Sequence, residues 1–203
     1  LSALNRAIEI DQRHSRSWVR KGNALRCLKQ YDQALQACSE AILIDSNYAW
    51  AWNEQGLTLE AMNYYEAALE AYQQASAIAP NETLYIYKQA GVLIHLKRNQ
   101  QAYDLLEEVL QVDNRNAQIW AQHGQVLRRL GRSSEALSSY THAIELDPES
   151  DWAWNGRGLT LSQLNQHDKA LLCFEKAVEL NSNEVWYWYG LADEQLALGD
   201  MQA

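Results

Sequence analysis

The chain has 203 residues, with 17 Lys and Arg against 26 Asp and Glu, and a formal net charge of −9. An acidic chain repels phosphate backbones, so this charge argues against a nucleic-acid partner. Only two Pro, and nine Gly spread along the chain, favour helices almost throughout, and no apolar run approaches the roughly 18 residues that a membrane helix needs.

The predicted elements follow a period of 34 residues from the amino terminus onward. Residues 1–14 are predicted to form the second helix of a pair, and 185–203 a further first helix, so that a single domain spans 1–203. The full repeats between them are 15–48, 49–82, 83–116, 117–150 and 151–184. The period is marked by a recurring tryptophan, found at Trp18, Trp52, Trp120, Trp154 and Trp188.

Each repeat reads as two helices joined by a short turn. Trp52, Gly56 and Leu59 are spaced i, i+4, i+7 and therefore share one face of a helix. A second helix carries Ala68 and Tyr72 at the same kind of spacing. We expect the small residues to let the two backbones approach closely, while the large rings fill the space beside them.

This pattern resembles the tetratricopeptide repeat, which has the form W-x3-G-x2-L, then A-x3-Y-x2-A, then P. The resemblance covers the whole chain and implies an all-α, right-handed superhelical solenoid of antiparallel helix pairs. Repeat 83–116 departs most from the pattern, since Ile86 replaces the tryptophan. The fullest match is Trp52, Gly56, Leu59, Ala68, Tyr72, Ala75 and Pro80.

The resemblance also implies that one stripe of each first helix, at positions 2, 5, 9 and 12 of the repeat, lines a concave groove for a partner peptide or helix. A solvated face should be polar, yet this stripe carries three Trp and two Tyr. We expect the aromatics to anchor the partner, and Asn53 and Asn155 to hydrogen-bond its backbone. The alternative is that the aromatics pack sideways between neighbouring first helices. The candidate partner-binding residues are Arg16, Arg20, Asn23, Trp50, Asn53, Leu57, Tyr87, Lys88, Gln125, Trp152, Asn155, Leu159, Trp186 and Tyr189.

A basic patch lies at the amino-terminal end of this stripe, where Arg16 and Arg20 could dock a carboxylate or an acidic run. The alternative is an ordinary solvated basic face. The three cysteines are odd in number and lack CxxC spacing, which predicts thiols in a reducing, cytoplasmic compartment rather than a disulfide framework or a zinc site.

Catalytic motifs are absent from the sequence. The five His are far apart, no Gly-rich phosphate loop occurs, and nothing places a Ser, a His and an Asp together. We therefore expect a non-catalytic protein-interaction scaffold that needs no cofactor or metal. Two alternatives remain: a regulatory or sensor arm of a larger protein whose catalytic domain lies outside this chain, and self-assembly through uncapped solenoid ends.

Overall fold

A computed structural model describes residues 1–201, and this part of the chain contains twelve helices and no strand. The predicted all-α class is confirmed. None of these helices is both long and apolar enough to cross a membrane. In chain order they are α1 (Ser2–Ile10), α2 (Ser15–Cys27), α3 (Tyr31–Ile44), α4 (Ala49–Ala61), α5 (Tyr65–Ile78), α6 (Thr83–His95), α7 (Asn99–Val112), α8 (Ala117–Arg129), α9 (Ser133–Leu146), α10 (Asp151–Gln163), α11 (His167–Leu180) and α12 (Val185–Met201).

The helices form two compact units, residues 1–98 and the residues from 99 onward. In the first unit α2 packs on α3, and α4 on α5; in the second α8 packs on α9, and α10 on α11. The last two residues of the predicted final helix, 202 and 203, lie outside the described residues. The single domain over 1–203 and its repeat boundaries stay predictions.

Paired helices approach closely where a glycine of the first helix faces a ring of the second. A Cβ atom added at Gly56 would lie 2.6 Å from Cε1 of Tyr72, which is closer than real Cβ contacts come. Gly158 faces Phe174 in the same way, with an added Cβ 3.1 Å from the ring. The expectation that small residues permit close backbone approach is confirmed at these pairs.

The turn between the two helices of each repeat contains one residue with positive φ, always at position 15 of the repeat. The next residue donates its backbone N–H to a leucine carbonyl five residues earlier, as Gln30 does to Leu25 at 2.9 Å. This bond satisfies a carbonyl that the helix end would otherwise leave unpaired. The residues with positive φ are Lys29, Asn63, Lys97, Gly131 and Asn165.

The recurring tryptophans at position 4 also fasten the turn that precedes their own helix. The indole Nε1 of Trp52 donates to the carbonyl of Ser46 at 3.0 Å. Trp18, Trp120, Trp154 and Trp188 each bond the carbonyl six residues earlier in the same way, at 2.8–3.0 Å. Ile86 has no donor for such a bond, so the turn before α6 lacks this fastening.

The positive φ at position 15 leads to a stability prediction. Because a residue with a Cβ is strained in the left-handed region, Lys29→Gly should raise the free energy of unfolding by about 0.5–1 kcal/mol. Gly131→Ala should lower it by about 1 kcal/mol; an added Cβ there meets nothing within 4 Å, so the cost is conformational. Urea unfolding followed by circular dichroism measures both changes.

The control for this pair is Lys21→Gly, which makes the same replacement inside α2. A glycine in a helix interior should cost about 1 kcal/mol. A loss of stability in Lys29→Gly as large as that in Lys21→Gly would contradict the prediction.

Candidate functional site

A basic pocket lies in the first unit between α2 and the start of α4, with a volume of about 650 Å³. Val19 forms its apolar floor, since it is 1% exposed, whereas the ring of Trp50 is 43% exposed at the edge. Four of the predicted binding residues meet here. The lining residues of this basic pocket are Arg16, Val19, Arg20, Asn23, Tyr48 and Trp50.

A buried carboxylate holds one side of the basic pocket in place. Glu54 on α4 is 1% exposed, and its oxygens accept hydrogen bonds from Nδ2 of Asn23 at 3.2 and 3.3 Å. Nε of Arg26 donates to the same carboxylate at 3.4 Å. The Asn23 amide is therefore oriented with its nitrogen toward Glu54, and no described residue donates a hydrogen bond to its oxygen.

Glu54 fits at this position because the residue behind it, Cys38, is small. Burial raises the pKa of the Cys38 thiol to about 12, and the Glu54 carboxylate adds to that shift. The residue at the same position of repeat 151–184 is Gly156, where an added Cβ would clash with the Tyr140 ring. The sequence does contain a sign of the buried Glu54, because the small Cys38 of one repeat is followed by an acid in the next. The repeat pattern by itself does not assign that acid a role.

An aromatic pocket of about 790 Å³ lies in the second unit, beside α8, α10 and α12. Trp186 and Tyr189 form open walls of this pocket, at 73% and 59% exposed, and their ring centroids are 5.6 Å apart. Trp152 is half-buried against the core cluster that contains Ala121. The predicted binding residues that line this aromatic pocket are Gln125, Trp152, Asn155, Leu159, Trp186 and Tyr189.

Asn53 does not reach either pocket, and the expected bond from its side chain to a partner's backbone is corrected here. The residue is 1% exposed, as are Val19 and Ala121 at the same position of their repeats. Position 5 is covered in these three repeats, which a helical projection of one helix does not reveal, whereas Asn155 and Tyr189 at the same position line the aromatic pocket. The Oδ1 atom of Asn53 has no hydrogen-bond partner among the described residues.

Three further candidates of the first unit, Leu57, Tyr87 and Lys88, are half-buried and line neither pocket. Nζ of Lys88 lies 5.6 Å above the Tyr87 ring, a cation–π arrangement within a single helix. Burial raises the pKa of the Tyr87 hydroxyl, and the Glu60 carboxylate raises it further. These three residues are therefore not brought together with the basic pocket.

The second unit does bring a serine, a histidine and an acid together, although nothing in the sequence predicts this. Nδ1 of His123 lies 3.0 Å from Oγ of Ser139. Nε2 of His123 lies 2.9 Å from Oε1 of Glu107, without the alignment of a hydrogen bond. These residues come from α7, α8 and α9, so their separation along the chain concealed the cluster.

The geometry of this cluster does not suit nucleophilic catalysis. The Glu135 carbonyl, 3.0 Å from Oγ of Ser139, competes with His123 for the single hydroxyl hydrogen that a nucleophile would donate to the histidine. His123 and Ser139 are only 4% and 3% exposed, so a substrate could not reach them. Among the residues that the structure describes, no three His, Cys, Asp or Glu side chains converge as metal ligands would.

Sequence comparison identifies the repeat along much of the chain. Models described as tetratricopeptide repeat match residues 15–48, 51–82 and 152–184, and one described as TPR repeat matches 124–165. No curated protein sequence matches the chain significantly.

Solved structures of tetratricopeptide proteins have the same fold. YrrB, described as a TPR protein with an unusual peptide-binding site, is 22% identical, with a TM-score of 0.67 over 92% of this chain and 96% of its own. TTC0263, a TPR protein of Thermus thermophilus, is 21% identical, with a TM-score of 0.75 over 90% and 99%. The Cut9–Hcn1 hetero-tetramer of the APC/C gives a TM-score of 0.83 at 15% identity, over 96% of this chain and 39% of the matched one. At these identities the likeness shows the fold alone.

Glu54 should contribute strongly to stability because it is buried and multiply bonded. Glu54→Gln removes the charge that Arg26 and Asn23 share, and should lower the free energy of unfolding by about 1–3 kcal/mol. Glu66→Gln is the control, since its ion pair with Arg98 is exposed and should be worth less than about 1 kcal/mol. Urea unfolding compares the two variants, and equal losses would contradict the burial argument.

His123 should make stability depend on pH. Burial lowers the pKa of His123 below its ordinary value of 6.5, and Glu107 offsets this only in part. The unfolded chain then binds the proton more tightly, so stability is full above pH 6.5 and is lost as pH falls through the depressed pKa, by at most about 1.4 kcal/mol per pH unit. His123→Gln should flatten the curve of unfolding free energy between pH 7.5 and 5.

The control for this pH profile is the exposed His142, which stacks on Trp120. His142→Gln should keep the slope of the parent chain. A profile of His123→Gln that runs parallel to the parent's would disprove the role of His123.

Proposed function

This chain belongs to the tetratricopeptide repeat family, and from that premise we propose that it is a non-catalytic scaffold that holds a segment of a partner protein. The partner segment lies against the stripe of the first helices, and aromatic side chains anchor it. YrrB, of similar fold, is described as having a peptide-binding site, which supports this kind of function for the present chain.

The observation that carries the proposal is the aromatic pocket of the second unit. Six residues chosen from the repeat pattern alone line one concavity of about 790 Å³, a volume suited to several side chains of a peptide. Trp186 leaves 73% of its surface in water, which is a large apolar exposure that a bound partner would relieve. Tryptophan and tyrosine are the residues that dominate binding energy at protein interfaces.

Packing between neighbouring first helices explains the presence of only some of the aromatic side chains in the stripe. Trp152 rests on the core cluster of its neighbour and stiffens the contact between first helices. Trp186 and Tyr189 contact each other at a tilt of 40° and remain mostly exposed. Packing between helices therefore explains the base of the pocket, and partner binding explains its open walls.

The polar groups of the aromatic pocket would orient the partner. Asn155 and Gln125 are half-buried at its wall, and each side chain can both donate to and accept from a peptide backbone. Arg129 and Asp193 lie exposed at the same pocket and can pair with charges on either side of an apolar anchor. We propose this combination as the specificity determinant of the second unit.

Affinity for a selected peptide tests the proposal. Peptides are selected from a random library against the intact chain, synthesised, and their dissociation constants measured by calorimetry. Trp186→Ala should weaken binding at least tenfold, since loss of an anchoring aromatic costs about 2 kcal/mol or more. Trp152→Ala should weaken it similarly, with an additional loss of thermal stability from its packing role.

Leu196→Ala is the matched control. Leu196 lies on the same helix and is 67% exposed, but it does not line the aromatic pocket. It should retain parental affinity. Binding that survives both Trp152→Ala and Trp186→Ala, or that Leu196→Ala weakens equally, would overturn the proposed site.

A further inference from the structure

The basic pocket carries two cations that no other described part of the structure neutralises. Arg16 and Arg20 lie one helical turn apart on α2 and line the pocket, and neither forms a hydrogen bond or ion pair with a described residue. Like charges at this spacing destabilise a helix. Two such guanidinium groups are therefore left where a bound anion would stabilise both.

Glu54, the acid that bonds the lining residue Asn23, is already engaged. Glu54 is buried, and its carboxylate is shared between Arg26 and Asn23. The six lining residues include two arginines and no acid. The pocket is thus a positive site in a chain whose formal net charge is −9. Its charge is local and favours an anionic ligand.

We infer that the basic pocket binds an extended acidic segment of a partner protein through two side-chain carboxylates, one on Arg16 and one on Arg20. This inference rests on the proposed function, because it names the chemistry of a segment that the scaffold holds. Residues four apart on a helix are separated by about 6 Å along the axis. Alternate residues of an extended chain lie about 6.6 Å apart on one face, so a Glu-x-Glu sequence matches the two arginines.

The remaining lining residues favour an extended segment over a helical one. Nδ2 of Asn23 donates to Glu54, so the Asn23 oxygen is the atom that can accept a hydrogen bond from a ligand. An extended peptide offers unpaired backbone N–H groups to such an acceptor, whereas those inside a helix are already bonded. The ring of Trp50, 43% exposed, then covers the aliphatic part of a glutamate side chain.

Fluorescence anisotropy with a synthetic probe tests the inference on the intact chain. The probe is a labelled, acetylated and amidated peptide with a Glu-Leu-Glu core flanked by Gly and Ser, and its twin carries Gln-Leu-Gln. The parent chain should bind the first probe at least tenfold more tightly than the second. Arg16→Gln with Arg20→Gln should abolish this difference, and raising NaCl from about 50 to about 300 mM should weaken parental binding severalfold.

The matched control is Lys21→Gln with Lys29→Gln, which removes the same charge from residues outside the basic pocket. It should bind the acidic probe as the parent does. All four substituted residues have solvent contact, and circular dichroism checks that each variant stays folded. If the lysine variant lost as much affinity for the acidic probe as the arginine variant, net charge alone would explain the effect and the inference would be wrong.

Two further arms identify the source of the carboxylate. Binding of a Gln-Leu-Gln peptide with a free carboxyl terminus, without binding of the amidated acidic probe, would overturn the side-chain assignment. If the chain bound phosphatidylserine vesicles through Arg16 and Arg20 and did not bind the probe, the assignment of a protein partner would be wrong. Trp186→Ala should bind the acidic probe unchanged, so failure of the aromatic pocket and failure of the basic pocket are separately visible.

Discussion

In three of the helix pairs the distance between the helices is set by a contact in which a glycine on the first helix lies against a ring on the second. Tyr72, Tyr140 and Phe174 are at most 1% exposed, because each ring lies directly against the backbone of its partner helix. This contact fixes how the first helix is rotated about its axis. A large side chain at position 2 faces away from that core, so Trp50 or Trp186 cannot be absorbed by it.

The rotation of each first helix about its axis does not by itself decide which residues a partner can contact, because neighbouring first helices also pack against each other. Position 5 is closed at Val19, Asn53 and Ala121, whereas Asn155 and Tyr189 at the same position line the aromatic pocket. Gly156 and Gly190 also let their first helices approach the second helix of the preceding repeat in the second unit, where each lies close to a ring of that helix. In the first unit the small Cys38 leaves room for Glu54 at the position that Gly156 occupies in the second. The same position of the repeat therefore holds either a closely packed glycine or a buried charge.

The periodic part of this structure was predictable from the sequence, and the part that depends on neighbouring repeats was not. A period of 34 residues identified the helix pairs and the aromatic stripe, because spacing within one helix determines which residues share a face. The burial of Asn53 and the cluster of His123 with Ser139 arise from contacts between different helices. Side-chain size at those contacts, rather than spacing, decides which polar groups are enclosed, and a single sequence does not report the distance between helices.

The tryptophans fall into two classes with different surroundings, and this gives the protein an internal optical reporter. Five indoles donate to backbone carbonyls at the turns between repeats. The other three, Trp50, Trp152 and Trp186, stand at position 2 and have no indole hydrogen bond to a described residue. Trp50 and Trp186 are 43% and 73% exposed, so we expect their emission to be red-shifted and open to ionic quenchers. Because Trp188 at a turn is itself 49% exposed, the fluorescence separates occupation of the surface from loosening of the turns once that one tryptophan is replaced.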